Sequence, residues 1–71
     1  MRLFFDILKQ QSPTYDFHGY YFRSKEDAAL MAELIAADLG ISDTDDWIGA
    51  LVEVRTAANE MLFCVPVLAA A

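Results

Sequence analysis

"SKEDAALMAELIAADLG", residues Ser24 to Gly40, is the stretch on which the fold turns. It reads as a helix. The Ser24 hydroxyl is placed to accept the Asp27 N–H, and Glu26 and Asp27 put negative charge in the first turn, where the helix dipole favours it. Ser24 and Asp27 together approximate a capping box, with Asp in the usual Glu position. Gly40 is the expected left-handed stop. Ala28, Met31, Ala32, Ile35 and Leu39 fall on one face at helical spacing, with Glu26 and Glu33 opposite, so they are the expected core face. Leu30, Leu34 and Ala37 make a second apolar strip, between Glu33 on one side and Asp27 and Asp38 on the other. Leu34 is expected to reach the edge of the core and Leu30 to stay outside it.

Working outward, each side of this helix carries two strand signals. Upstream, "RLFFDILK" (2–9) alternates Leu3, Phe5 and Ile7 with Arg2, Phe4, Asp6 and Leu8. "QQSPT" is a loop, because Pro13 lacks an N–H and biases Ser12 away from helix. The aromatic-rich "YDFHGYYF" (15–22) predicts a second strand, bent or bulged at Gly19. Downstream, "ISDTDDWIG" is a connector in which Ser42 or Asp43 caps one helical turn and Trp47 packs back. Residues 50–56, "ALVEVRT", and 60–67, "EMLFCVPV", predict strands three and four. "AAN" between them fits a three-residue hairpin loop with Asn59 in the left-handed region, which Asn tolerates. The order ββαββ predicts an α+β fold: a four-stranded, mostly antiparallel sheet with one helix packed on one face. The chain, 1–71, reads as a single domain, with 68–71 a frayed tail.

The last strand does not declare which face is wet. With Asn59 as a bulge position, Thr56 faces Glu60, Val54 faces Leu62 and Val52 faces Cys64, all toward the helix. Met61, Phe63 and Val65 then look away. A loop of two or four residues exchanges the faces, since a one-residue slip flips every side chain. In either register the outer face keeps apolar residues, and Phe4 and Leu8 add to it. One helix shelters only one face of the sheet. Outward Met, Phe and Val side chains, if buried by a partner, contribute roughly 1.5–3 kcal/mol each.

Composition agrees. Hydrophobic residues are 56% of the 71, above the roughly 45–50% typical of soluble domains. A chain of this length is marginal alone and is often helped by disulfides, metals or self-association. Cys64 is the single cysteine, which excludes an internal disulfide and suits a reducing cytosol. One Cys and one His give no spaced metal-ligand cluster, and no cofactor is expected. Net charge is −6, and Arg2, Lys9, Arg23, Lys25 and Arg55 are scattered, so nucleic acid is not an expected partner. "MRLFFDILKQ" lacks the long apolar core of a signal peptide. The run from Met61 to Ala71 is too short for a membrane helix. A cytoplasmic protein that neither leaves the cell nor meets a membrane is the expectation.

Read end to end, the chain resembles a family of short proteobacterial proteins of unknown function, common in rhizobia and their relatives. The resemblance lies in "RLFFDI" (2–7), "DFHG" (Asp16 to Gly19), the helix "SKEDAALMAELIAADL", "WIGALVEVR" (Trp47 to Arg55) and "LFCVPV" (Leu62 to Val67). It implies a ββαββ domain and no activity. The last turn departs from it: "TAANE" stands where the family usually has an Asp-to-Gly turn, which leaves the hairpin register open.

Three clusters are candidate sites. Asp43, Asp45 and Asp46 fail the calcium-loop template, since Trp47, Ile48 and Val54 fall where an acid, the glycine and the glutamate belong. They read as a solvated, helix-capping loop. Asp6, Asp16 and His18 suit an acid–base group, with Asp16 and His18 on one strand face. No nucleophile or oxyanion hole accompanies them, and exposed strand residues before the Gly19 bend are the plainer reading. Tyr15, Phe17, Tyr20, Tyr21 and Phe22 divide between sheet cover and a partner surface. Cys64 is expected to be buried or at a subunit interface.

The sequence thus predicts a non-catalytic domain that associates with itself, most simply as a two-fold dimer. The expected interface is Phe4, Leu8, Met61, Phe63 and Val65 on the outer sheet face, with Leu30 and Leu34 as a second candidate. The alternative is a module that binds another protein through the same patch, perhaps by a helix or an edge strand. A small enzyme using Asp6, Asp16 and His18 is the third class.

Overall fold

The computed structural model describes residues 1–9, 12–41 and 46–69. Four strands and one helix follow in the order β1 (Arg2–Leu8), β2 (Tyr20–Tyr21), α1 (Lys25–Gly40), β3 (Leu51–Thr56) and β4 (Met61–Pro66). The sheet order is β2-β1-β3-β4, with every neighbouring pair antiparallel. The helix packs on one face, chiefly over β3 and β4. The predicted α+β architecture is therefore the observed one.

The helix starts as its sequence dictates. The Ser24 hydroxyl accepts the Asp27 N–H at 3.2 Å. Its buried row is narrower than expected: Ala28, Ala32 and Ala36 are fully covered, and Ile35 and Leu39 half-covered. Met31, expected in the core, is 42% exposed. Small side chains spaced by four residues let the helix axis lie close to the sheet, which rotates the larger Met31 to the rim. Gly40 continues that row. It is not the left-handed stop; it is helical, and Ile41 is the cap residue with φ −104°. Its lack of a side chain serves packing instead, because a Cβ there would sit 2.3 Å from the Leu68 carbonyl oxygen. That contact seats the segment after β4, where Val67 is fully buried.

Leu3, Phe5, Val52, Val54 and Val67 meet the alanine row and form the core. Phe5 also packs against the Phe22 and Tyr20 rings, at centroid distances of 5.5 and 6.1 Å. Trp47 packs back on the core as expected, with the Lys9 ammonium 4.9 Å from its ring. The expected cap at Ser42 or Asp43 lies outside the described residues.

Two strands depart from expectation. β2 is two residues long rather than eight. Thr14 still exchanges hydrogen bonds with Ile7 at 2.8 Å, but residues 15–19 leave the ladder. The cause is Asp16, whose carboxylate takes backbone donors that a regular strand would pair with carbonyls.

In the second hairpin the loop is as predicted, and the register left open by the sequence is set by a bulge. Asn59 has φ 66°, and Thr56 and Glu60 close the three-residue loop. Two residues later a bulge intervenes: Arg55 pairs with Met61 but Val54 pairs with Phe63, leaving Leu62 extra. Beyond it every β4 side chain changes face. Val65 lies opposite Val52, and Cys64 opposite Glu53. Phe63 and Val65, expected to look away from the helix, pack against the core on the helix side. Cys64, on the helix side in one of the two expected registers, faces outward and is exposed, so burial, one of its two expected places, is not what it shows.

Candidate functional site

The outer face of the sheet is built from Phe4, Asp6 and Leu8 of β1 and Leu51, Glu53 and Arg55 of β3. Strand alternation puts these residues together. Asp6 lies directly opposite Glu53, a like-charged pair, and Arg55 sits opposite Phe4. The Arg55 Nε donates to Asp6 Oδ2 at 2.6 Å, and its Nη2 donates to the Asp16 carbonyl at 2.9 Å. The Asp6 side chain is only 3% exposed. Its second oxygen accepts the Asp16 N–H at 2.9 Å.

Asp16 repeats the arrangement with backbone donors. Its Oδ2 accepts the Phe5 N–H at 3.1 Å, an amide of β1 that β2 is too short to reach. Its Oδ1 accepts from His18 and Gly19 at 3.0 Å each. Burial pushes the Asp16 carboxyl up; the N–H donors of Gly19, Phe5 and His18, with the His18 charge, outweigh it and hold the carboxyl below its ordinary value. Gly19, at φ +73°, permits this turn. A Cβ there would meet the Leu3 carbonyl oxygen at 3.0 Å and the Phe4 ring at 3.1 Å. The Arg2 guanidinium donates to the His18 carbonyl through Nε at 2.8 Å and also through Nη2. Arg2 and Arg55 stack over Phe4, 5.2 and 4.6 Å from its centroid.

The sequence-selected trio is thus brought only partly together. Asp6 and Asp16 meet, and all four of their carboxylate oxygens receive protein donors. His18 enters through its backbone, and its exposed ring has no hydrogen-bond partner in the network. What the arrangement does chemically is hold residues 14–19 against β1. Beside it an open groove of about 510 Å³ has Asp6, Glu53 and Arg55 among its lining and Tyr15 and Phe17 at its walls. Among the described residues, no group of three His, Cys, Asp or Glu side chains is disposed to hold a metal ion. Asp43 and Asp45 lie outside them.

The candidate interface residues separate. Phe4 is buried beneath the two arginines, and Leu8 is half-buried at the groove. Phe63 and Val65 belong to the core side. Met61 is exposed at the sheet's end. Leu30 and Leu34 are 59% and 62% exposed, and Ile41 is 67% exposed. Leu34 does not reach the core.

Three residues of α1 and its cap residue form a stripe. Leu30, Leu34, Ala37 and Ile41 recur at four, three and four residues, the spacing of coiled-coil seam positions. Met31 flanks the stripe and lines an apolar cleft of about 300 Å³ with Phe5, Tyr20, Phe22 and Ile35. The stripe was half legible from sequence: Leu30, Leu34 and Ala37 were visible, but Ile41 lies past the glycine expected to end the helix.

No protein-family model, curated protein or solved structure matches the chain. No helix among the described residues is long and apolar enough to cross a membrane.

Proposed function

We propose that this is a non-catalytic docking domain whose α1 stripe receives a helix of another protein. The observation that carries the reading is the uncovered Leu30–Leu34–Ala37–Ile41 row at seam spacing. Leu30, Leu34 and Ile41 contribute nothing to the core, so folding does not account for them. Each, if fully buried by a partner, is worth roughly 1.5–3 kcal/mol. Against the cost of association that suits a reversible contact, on the order of 10 μM.

Self-association through the outer sheet face, the first expectation, has less support. Phe63 and Val65 face the helix side, Phe4 is covered, and Asp6, Glu53 and Arg55 floor the groove. The open edge of β4 carries Pro66, which has no N–H to offer a further strand.

The test is site-specific photo-crosslinking in the native cell. A photoreactive residue at Ala37 is expected to trap a protein that one at Glu53 does not. The trapped segment is expected to be helical, and the purified partner to bind the wild-type chain but not the Leu30→Glu/Leu34→Glu variant. Crosslinks from Glu53 alone, or equal binding by the double variant, contradict the reading.

A further inference from the structure

We infer that the helix docking on this stripe is basic along both flanks, which makes it a different chain and not a second copy; this rests on the docking reading above. With Leu34 and Ile41 at one seam position and Leu30 and Ala37 at the other, the flanking positions fall on Glu26, Met31, Glu33, Asp38 and Gly40. Asp27 occupies the seam position one heptad before Leu34. The helix therefore presents four acids around the stripe. Its one base, Lys25, projects from the far side of the seam, and the last turn carries no basic residue.

The end of the helix reinforces the sign. The C-terminal carbonyls carry the negative end of the macrodipole, and Asp38 adds to it there instead of offsetting it. Acidic side chains thus flank the stripe from its first turn to Asp38, and the dipole adds negative charge at the Ile41 end. Flanking charges decide which helices pair. Two copies laid seam to seam, parallel or antiparallel, set acid against acid at their flanks. A helix with Leu or Ile at its seam and Lys or Arg beside it sets base against acid at Glu26, Glu33 and Asp38. Of the two uncharged flanks, Gly40 is taken up by the contact with Leu68, and Met31 admits an apolar side chain of the partner next to the cleft it shares with Phe22 and Ile35.

The probe is a 21-residue amidated peptide with Leu at both seam positions and Lys at both flanks. It is titrated into the full ¹⁵N-labelled chain. Two comparison peptides carry Glu at the flanks, or the Lys composition in scrambled order. The Lys peptide is expected to shift amides between Glu26 and Ile41. It should bind at least about tenfold more tightly than the Glu peptide, a difference of about 1.4 kcal/mol. Raising salt to about 0.5 M should erase most of that advantage. Asp38→Lys should weaken the Lys peptide and leave the fold intact by circular dichroism. Equal binding of Lys and Glu peptides on the stripe overturns the charge rule while the docking surface stands. Equal binding of the scrambled peptide, or shifts confined to the sheet, overturns both. No shift with any peptide at about 1 mM overturns the inference, and the crosslinks then judge the docking reading separately.

Discussion

Arg55 and Asp6 meet across β3 and β1, Nε to Oδ2 at 2.6 Å, on a sheet face that the sequence marks as greasy. The pair accounts for both strands' outer faces. Asp6 directly opposes Glu53, and Arg55 offsets the repulsion from the neighbouring position while covering Phe4. Removing one partner leaves a buried charge alone. Arg55→Ala is expected to cost about 3 kcal/mol in urea unfolding, the low end for broken buried pairs because the arginine is partly exposed. Arg55→Lys cannot serve Asp6 and the Asp16 carbonyl with one planar fork and should cost about half as much. The double change Asp6→Leu/Arg55→Met removes the lone charge but also the partners of the Asp16 N–H and carbonyl, so it should recover only part of the loss.

Asp16 gives the fold a pH dependence of known sign. Its carboxyl titrates lower in the folded chain than its ordinary 3.8. The folded state therefore binds that proton less readily than the unfolded state does. The Asp16 contribution is fully present above the unfolded value and is lost as pH falls through the folded one. Asp16→Asn should flatten the fall in stability that the wild type shows as pH drops below the ordinary carboxyl value of 3.8. The larger truncation, Asp16→Ala, orphans the Phe5, His18 and Gly19 amides and should cost about 2–3 kcal/mol at pH 7.

Gly40 separates packing from propensity. Alanine is the better helix former by about 1 kcal/mol. Here the added methyl collides with the Leu68 carbonyl and pushes Val67 out of the core. Gly40→Ala should lower stability by about 1–3 kcal/mol. A stabilised variant in the same melt contradicts the seated tail.

The stripe predicts the opposite behaviour. Leu30→Glu/Leu34→Glu should change unfolding free energy by no more than about 0.5 kcal/mol per site, since neither side chain touches the core. Ala32→Leu, by contrast, forces volume into the contact between helix and sheet and should cost about 1–3 kcal/mol.

Much of this was legible in the residues. The Ser24 cap, the left-handed Asn59 and the alternation of β1 follow from local chemistry and appear as read. The misread parts depend on longer-range competition. β2 is short because the Asp16 carboxylate outbids the ladder for amides, and one carboxylate in an aromatic run does not announce that. The faces of β4 exchange because Leu62 bulges, which periodicity alone does not reveal when every residue nearby is apolar. Helical spacing alone put Met31 on the core face of α1, whereas the covered row is Ala28–Ala32–Ala36–Gly40, whose small residues fit the close approach.

The placement of apolar surface is tested most directly by methyl relaxation in the presence of a soluble paramagnetic agent, at about 20 and about 500 μM chain. The expected result is strong broadening of the Leu30 and Leu34 methyls and weak broadening of Val65, unchanged between the two concentrations. Broadening of Val65 with Leu30 and Leu34 protected at the higher concentration contradicts the account, because a second copy then covers the stripe and the sheet face lies open.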